Sequence, residues 1–331
     1  MKSADASKRA GGRGCAVLIP CLDEERTVGT VVSDFRRVLP EARIYVFDNG
    51  SSDRTAAVAA DAGATVIASP RRGKGNVVRH MLRTVEAEVL LLVDGDATYP
   101  AAAAPAMLQL LEESGVGMVV GERLKSARPR AFRPLHRIGN RLLSRMIRVL
   151  FSAQVTDVLS GYRAFTSSAA RALRLRSGGF EIETELTLQA LVRDVVIREM
   201  PIEYAPRPAG SASKLDTFTD ALRILKVIAL IFKSYRPFPF FSTLAFLCFA
   251  GGLAAGWRPV VDFVETRFVS HVPLALLAAA LEILAALFWG IALVLDAIVR
   301  FHLEALESND SVRRVAAASE PDGGIRRGDE R

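Results

Sequence analysis

Cysteine is scarce in this sequence: Cys15, Cys21 and Cys248 are the only three in 331 residues, at spacings that suit no zinc site. Their scarcity excludes a disulfide-stapled secreted scaffold and a zinc-ribbon module. Tryptophan is scarcer still, and both copies, Trp257 and Trp289, lie in the apolar C-terminal third. No apolar run occupies the N-terminus, so no secretory signal core is read there and the polar part of the chain is expected in the cytoplasm. The G-x-x-x-x-G-K-[ST] spacing of a phosphate-binding loop is missing, which sets aside an ATPase. There is no internal repeat.

Apolar residues, by contrast, make up 50% of the chain although 24% of it is charged. The two figures are compatible because the apolar excess is concentrated near the C-terminus. From Phe240 the chain reads FFSTLAFLCFAGGLAAGW, and residues 272–299 are apolar apart from Glu282 and Asp296. A bilayer core takes about 20 apolar helical residues, so both runs are long enough to span it. The polar stretch between them, residues 258–271, is short, which predicts a helical hairpin. Lys226, Lys233 and Arg236 precede the first run and Arg300, Arg313 and Arg314 follow the second, whereas only Arg258 and Arg267 lie between. By the distribution of basic residues both ends face the cytoplasm. The formal charge of +7 is then read as affinity for an anionic membrane surface and not for nucleic acid.

Ahead of these runs, apolar and β-branched stretches alternate with helical patterns: CAVLIP and a helix over 27–39, ARIYVFD and 53–62, ATVIA and 74–86, EVLLLVD and 101–113, then GMVVG. Such alternation predicts an α/β fold, a mostly parallel sheet covered on both faces by helices. Residues 1–13 and 303–331 read as disordered tails, 14–214 as the catalytic domain and 237–302 as the two spans. Between catalytic domain and spans, residues 215–236 form an amphipathic segment with Arg223, Lys226 and Lys233 among apolar residues. It reads as a helix in the bilayer interface or as an ordinary amphipathic surface helix.

Polar residues gather at the carboxyl ends of the expected strands, where open α/β sheets bind their ligands. VDGDATYP carries Asp94 and Asp96 just past a buried strand. Two such carboxylates suit Mg²⁺ or Mn²⁺, with a diphosphate completing the coordination. Asp48, at the end of the second strand, is placed to accept from a base or ribose, while Asp53 reads as a capping residue. In RRGKGNVVR, glycines flank Lys74 at a helix start, either as a diphosphate cradle or as a solvated basic loop.

IPCLDEE, FDNGSSDRT and VDGDATYP stand in the order and approximate spacing of family-2 glycosyltransferases, which this sequence resembles. Farther on, DVLSGYRAF, FEIETEL and RPAGSASKL resemble the polyprenyl-phosphate branch, which includes dolichyl-phosphate mannose synthases and undecaprenyl-phosphate glucosyltransferases. The resemblance runs from about Cys15 to the end of the second apolar run. It implies a GT-A fold and an inverting transfer of a sugar from a nucleotide-diphosphate donor to a polyprenyl phosphate. The reaction would take place at the cytoplasmic face of a bacterial inner membrane. By the same resemblance Pro20, Leu22 and Glu24 cradle the nucleoside, Asp48 reaches the base, and Asp94, Gly95 and Asp96 form the donor and metal segment. Asp157 sits toward the acceptor, either as a general base or in a structural ion pair. Lys74 and Arg123 are candidates for the donor diphosphate. Arg137, Arg163, Arg207 and Lys214 are candidates for the acceptor phosphate or leaving diphosphate, because Arg grips phosphate bidentately and Lys supplies a point charge. One of Glu183 and Glu185 reaches the acceptor pocket. A two-span anchor in such enzymes supports a homotetramer. Asp23 departs from the pattern, standing where the family carries Asn.

Other classes fit less well. A processive polysaccharide synthase needs a Gln-x-x-Arg-Trp segment, and both tryptophans here are in the apolar third. A nucleotidyltransferase favours a glycine-rich entry loop where this chain has CLDEE. A non-catalytic membrane scaffold would have no need of both aspartates of the pair, and both are present.

Overall fold

The computed structural model describes residues 14–113, 115–123, 134–151, 153–206 and 217–318, with backbone only at 134–138, 217–221, 235, 300 and 302–318. The chain divides into two compact units, Met1–Ala229 and Leu230–Arg331.

In the first unit β1 (Cys15–Cys21), β2 (Arg43–Asp48), β3 (Thr65–Ala68), β4 (Val89–Leu92), β5 (Val116–Glu122), β6 (Arg163–Thr166) and β7 (Val196–Pro201) form one sheet in the order β3-β2-β1-β4-β6-β5-β7. The strands are parallel except β6, which runs antiparallel to both β4 and β5. Helices α1 (Val28–Val38), α2 (Thr55–Asp61), α3 (Lys74–Thr84), α4 (Ala104–Leu111), α5 (Pro134–Phe151), α6 (Ser167–Ala172) and α7 (Ile182–Val192) connect or flank them.

The sequence pattern explains the layering. β1 is a continuous apolar run because it lies at the sheet centre with both faces covered, and its side chains alternate between two cores. Val17 and Ile19 join one core with Val28, Val31, Val32 and Phe35 of α1 and with Met107 and Leu108 of α4. Ala16 and Leu18 join the other, with Val77, Val78 and Met81 of α3 and Ile182 and Leu186 of α7. The α1 residues recur at i, i+3, i+4 and i+7, the spacing of a single buried helical face. Ile182 to Ala190 of α7 are buried all round, polar residues included, so this helix is an internal element and its glutamates need partners.

α8 (Thr217–Tyr235) runs across the division between the units, over the segment expected to be amphipathic. In it Leu222, Leu225 and Leu230 are exposed and Ile228 and Ile231 buried. The second unit continues with α9 (Pro237–Thr266) and α10 (Val272–Ala318). Phe238 packs on Trp289 and Phe241 on Phe288, while a Cβ on Gly256 would meet Ala278 at 3.4 Å. Partners that rise along one helix as they fall along the other make an antiparallel hairpin. Residues 237–266 and 272–299 are each long and apolar enough to cross a membrane, and most of their side chains are exposed. The first helix runs to Thr266, so the link is shorter than the residues 258–271 read from the sequence. α10 stays helical to Ala318, beyond the boundary at 302.

Candidate active site

The parallel strands β1 and β4 lie side by side although β2 and β3 intervene in sequence. The winding therefore reverses between them, and a crevice opens beyond their carboxyl ends. Cys21 is in register with Asp48, and the Val93 amide donates to Leu18 O at 3.0 Å, which sets Asp94 at the same edge. Pro20, Leu22, Glu24, Asp48, Asp94, Gly95 and Asp96 are thus gathered at one sheet edge. Gly95 packs closely on β1, because a Cβ there would stand 2.5 Å from Cys21 Sγ.

The loops after β1 and β2 are tied together. The Glu24 amide donates to Thr55 Oγ1 at 2.7 Å, and Thr27 Oγ1 donates to Gly95 O at 2.7 Å. Asp48 accepts from the Ser51 amide and hydroxyl. Asp53 accepts from the Thr55 and Glu25 amides and so braces the turn ahead of α2, whose cap position is Arg54, one residue on from the Asp53 read from the sequence. Asp23 accepts from the Ser52 amide at 2.7 Å and hydroxyl at 3.1 Å. A carboxylate fills this acceptor role as well as an Asn carbonyl, which accounts for the departure at that position.

Asp94 and Asp96 differ in setting. The Asp94 side chain keeps 22% exposure, whereas Asp96 is buried and accepts from the Thr98 amide and hydroxyl at 3.2 and 2.6 Å. Lys74 Nζ lies 2.7 Å from Asp94 Oδ1 and 2.6 Å from Glu183 Oε1. Burial on its own would lower the Lys74 pKa. Asp94 first and Glu183 second more than reverse that, so the ammonium is held charged. The glycines around Lys74 serve packing: the Gly75 amide donates to Gly178 O and Gly179 O at 3.1 Å and the Asn76 amide to Gly178 O at 3.4 Å. The Gly75 and Asn76 amides therefore do not form the phosphate cradle, since their hydrogens point at carbonyls, while the Lys74 ammonium faces the acidic edge.

A second network lies next to the first. Arg123 Nε and Nη2 reach the two Asp157 oxygens at 2.8 Å each, the Arg123 amide adds a bond at 2.9 Å and Asn140 Nδ2 one at 2.8 Å. Asp157 is fully buried. Burial would raise its pKa, but the Arg123 guanidinium outweighs it and the carboxyl is held below its ordinary range. Of the two roles left open for Asp157, the structure displays the ion pair. Tyr99 Oη, 3.4 Å from Arg123 Nη1, accepts from the Gly161 amide at 2.9 Å. A Cβ on Gly161 would stand 2.6 Å from Asp94 Oδ2, so only glycine lets this loop lie against the acidic pair.

Arg163 requires a correction. It is fully buried, and its nitrogens donate to Ser160 O, Val158 O, Glu183 O, Thr187 Oγ1 and Met118 Sδ. All five N–H groups are used within the core, so it ties the 158–160 loop to α7 and meets no phosphate. Burial lowers its pKa to about 10. The backbone of Arg137 lies in α5, while Arg207 and Lys214 fall outside the described residues. The structure also separates the glutamates of FEIETEL. Glu181 accepts from the Gly178 and Gly179 amides and Glu185 from the Arg176 and Ser177 amides, which makes both structural. Glu183 alone of the three joins Lys74 and Asp94. Tyr99 and Asn140 had no distinguishing signal beyond Tyr99 standing inside the VDGDATYP motif.

A strand-end crevice with an acidic pair on a mostly parallel sheet is the architecture of a GT-A nucleotide-sugar enzyme. Residues 16–174 match the family described as glycosyl transferase family 2. The chain is 34% identical over 297 residues to Glycosyltransferase AglJ of Haloferax volcanii, covering 88% of this chain and 95% of that one. It is 31% identical over 216 residues to the Dolichyl-phosphate hexose transferase of the same organism, covering 65% of this chain and 92% of the relative. A structure of glucosyl-3-phosphoglycerate synthase from Mycobacterium tuberculosis with Mn²⁺, uridine diphosphate and glucosyl-3-phosphoglycerate superimposes with a TM-score of 0.58 at 20% identity, covering 69% of this chain and 83% of that one. The chain belongs to glycosyl transferase family 2 and is a glycosyltransferase with a GT-A-like catalytic unit and two apolar C-terminal helices.

Proposed function

We propose that this protein transfers a sugar from a nucleotide-diphosphate donor to a polyprenyl phosphate at the cytoplasmic face of the membrane, with inversion at the anomeric carbon. One observation carries the reading: the acidic strand-end crevice and a pair of bilayer-length helices occur in one chain. A relative named as a dolichyl-phosphate hexose transferase supports the acceptor class.

In this reading the nucleoside lies over the ends of β1 and β2, between Pro20, Leu22 and Glu24 and the Asp48 carboxylate. The residues fit a divalent cation in one specific way. Among the described residues no three His, Cys, Asp or Glu side chains gather to hold an ion, whereas Mg²⁺ commonly takes one or two carboxylates and completes its shell with substrate phosphate and water. Asp94 and Asp96 would be those carboxylates. A bound Mg²⁺ or Mn²⁺ neutralises the negative charge that develops on the departing diphosphate.

The acceptor phosphate is already ionised at neutral pH, so its oxygen attacks C1 without surrendering a proton. The new C1–O bond forms as the bond from C1 to the diphosphate oxygen breaks, and that electron pair leaves on the nucleoside diphosphate. The buried ion pair of Asp157 fits such a reaction, because no base is required and a carboxylate locked onto Arg123 instead fixes the guanidinium. Lys74 supplies the remaining cation at the acidic edge. Replacing Asp96 by Ala is expected to abolish transfer while leaving the far-ultraviolet circular dichroism unchanged. Transfer that persists in excess chelator would remove the cation from this account.

A further inference from the structure

Arg123 and Asp157 come from distant parts of the chain, and neither lies in a regular element. Arg123 follows β5, while residues 153–157 lead from α5 toward β6 in neither helix nor strand. Backbone amides in such a segment must find acceptors outside a ladder. Those of Thr156 and Asp157 find them on one side chain, Glu199 of β7, the strand at the edge of the sheet. Glu199 Oε1 accepts from the Thr156 amide at 2.8 Å and from the Asp157 amide at 3.0 Å, and Oε2 accepts from the Thr156 hydroxyl at 2.6 Å. The same strand also holds the other partner. β7 runs parallel to β5 with Glu199 beside Val120, and the Ile202 amide donates at 2.9 Å to the carbonyl of Glu122, the residue before Arg123. Two residues farther on, the Tyr204 ring centre stands 5.4 Å from the Arg123 guanidinium carbon, and the ring packs on Tyr99. One strand and its continuation thus anchor both members of the buried ion pair.

We propose that Glu199 is a positioning residue for glycosyl transfer: by holding the Thr156 and Asp157 amides it sets Asp157, and through Asp157 it aims the Arg123 guanidinium. The inference rests on the reading under Proposed function, with Arg123 serving the donor diphosphate as charge develops on it. Length and acceptor geometry carry the role, because the partners of Glu199 are two amides and a hydroxyl. A Gln at this position keeps the reach: its carbonyl accepts from both amides and its NH2 group donates to the Thr156 hydroxyl. An Asp keeps the charge and shortens the arm by one methylene. The two substitutions therefore separate placement from charge.

The experiment compares full-length wild type, E199Q, E199D, R123Q and R123Q/E199D with Mn²⁺ and UDP-, GDP- or dTDP-hexoses, each variant taking the donor that the wild type turns over fastest. Nucleoside diphosphate release is read with and without undecaprenyl phosphate, well below every melting midpoint. E199Q should keep at least about half of the wild-type kcat. E199D should lose on the order of a hundredfold in kcat with the donor KM changed less than about threefold, the signature of a misplaced group that acts in the transition state. In the R123Q background the same replacement should cost less than about twofold, since two residues on one path do not add. Hydrogen exchange should find the Thr156 and Asp157 amides protected in the wild type and E199Q and open in E199D. A loss in E199Q as large as that in E199D would make charge the operative property and overturn the proposal. So would an E199D protein that keeps its kcat, whether or not these amides exchange, which is the behaviour of a brace without catalytic consequence. A loss in E199D that recurs in full beside R123Q overturns it too, because the path would not run through Arg123. In each of these cases the wild type still turns over its donor and the glycosyltransferase reading stands; a wild type that turns over none of the donors removes that reading and this inference together.

Discussion

Replacing Lys74 by Met removes the ammonium that stands 2.7 Å from Asp94 and 2.6 Å from Glu183. The methionine fills similar volume, so the change isolates the charge. Two carboxylates then face each other across a site where the lysine side chain is only 12% exposed. Removing one partner of a buried ion pair costs about 3–5 kcal/mol. Asp94 is 22% exposed and can regain some hydration, so a loss nearer about 2–3 kcal/mol is expected. For a unit of this size that corresponds to roughly 4–12 °C in apparent melting temperature. A divalent cation changes the comparison, since in the wild type it competes with the ammonium for Asp94 and in the variant it does not. Melting of the detergent-solubilised protein should therefore show Mn²⁺ raising the midpoint more in Lys74→Met than in the wild type, while transfer activity is lost. Equal Mn²⁺ shifts in the two proteins would refute the idea that lysine and cation share Asp94.

Other outcomes follow from the same geometry. The Asp157 pKa is lowered in the folded state, so its stabilising contribution is complete above the unfolded value of about 3.9 and disappears as pH falls from there toward the folded value. Asp157→Asn should flatten the acid limb of stability measured by urea titration below about pH 4, and an unchanged acid limb would contradict the assignment. Arg163→Met removes the Arg163 donors from the buried carbonyls of Val158 and Ser160 and one of two side-chain donors from that of Glu183, and should destabilise by about 3–5 kcal/mol. If it instead folds normally and raises only the KM for the acceptor, Arg163 reaches substrate after all. A single cysteine at Ser270, between the apolar helices, should react with a membrane-impermeant maleimide from outside, and labelling only after permeabilisation would reverse the orientation.

Period and motif carried the sequence reading as far as local order reaches. β1 to β5 and the helices between them follow directly from apolar runs alternating with i, i+3, i+4 patterns, and the crevice follows from the polar residues that end those runs. β6 and β7 escaped because their signals conflict with their surroundings: β6 opens with Arg163, a charged residue whose burial is intelligible only once the carbonyls of Val158, Ser160 and Glu183 surround it. The same conflict explains why Arg163 reads as a phosphate ligand in sequence and is internal in the fold. Lys74 was legible as a cation beside the site, yet its carboxylate partners lie 20 and 109 positions away in the chain. Long-range pairing also decides among Glu181, Glu183 and Glu185, which are equivalent as letters and differ only in which amides or ammonium they meet.

The most direct measurement is transfer itself. Purified full-length protein is given undecaprenyl phosphate, Mg²⁺ or Mn²⁺ and a panel of nucleotide sugars labelled in the sugar, and the products are partitioned between organic solvent and water. The account predicts that one donor yields label in the organic phase, held as an acid-labile sugar on the lipid phosphate, and that Asp96→Ala yields none. Label that moves only to a water-soluble acceptor such as phosphoglycerate, with nothing in the organic phase from any donor, would contradict it.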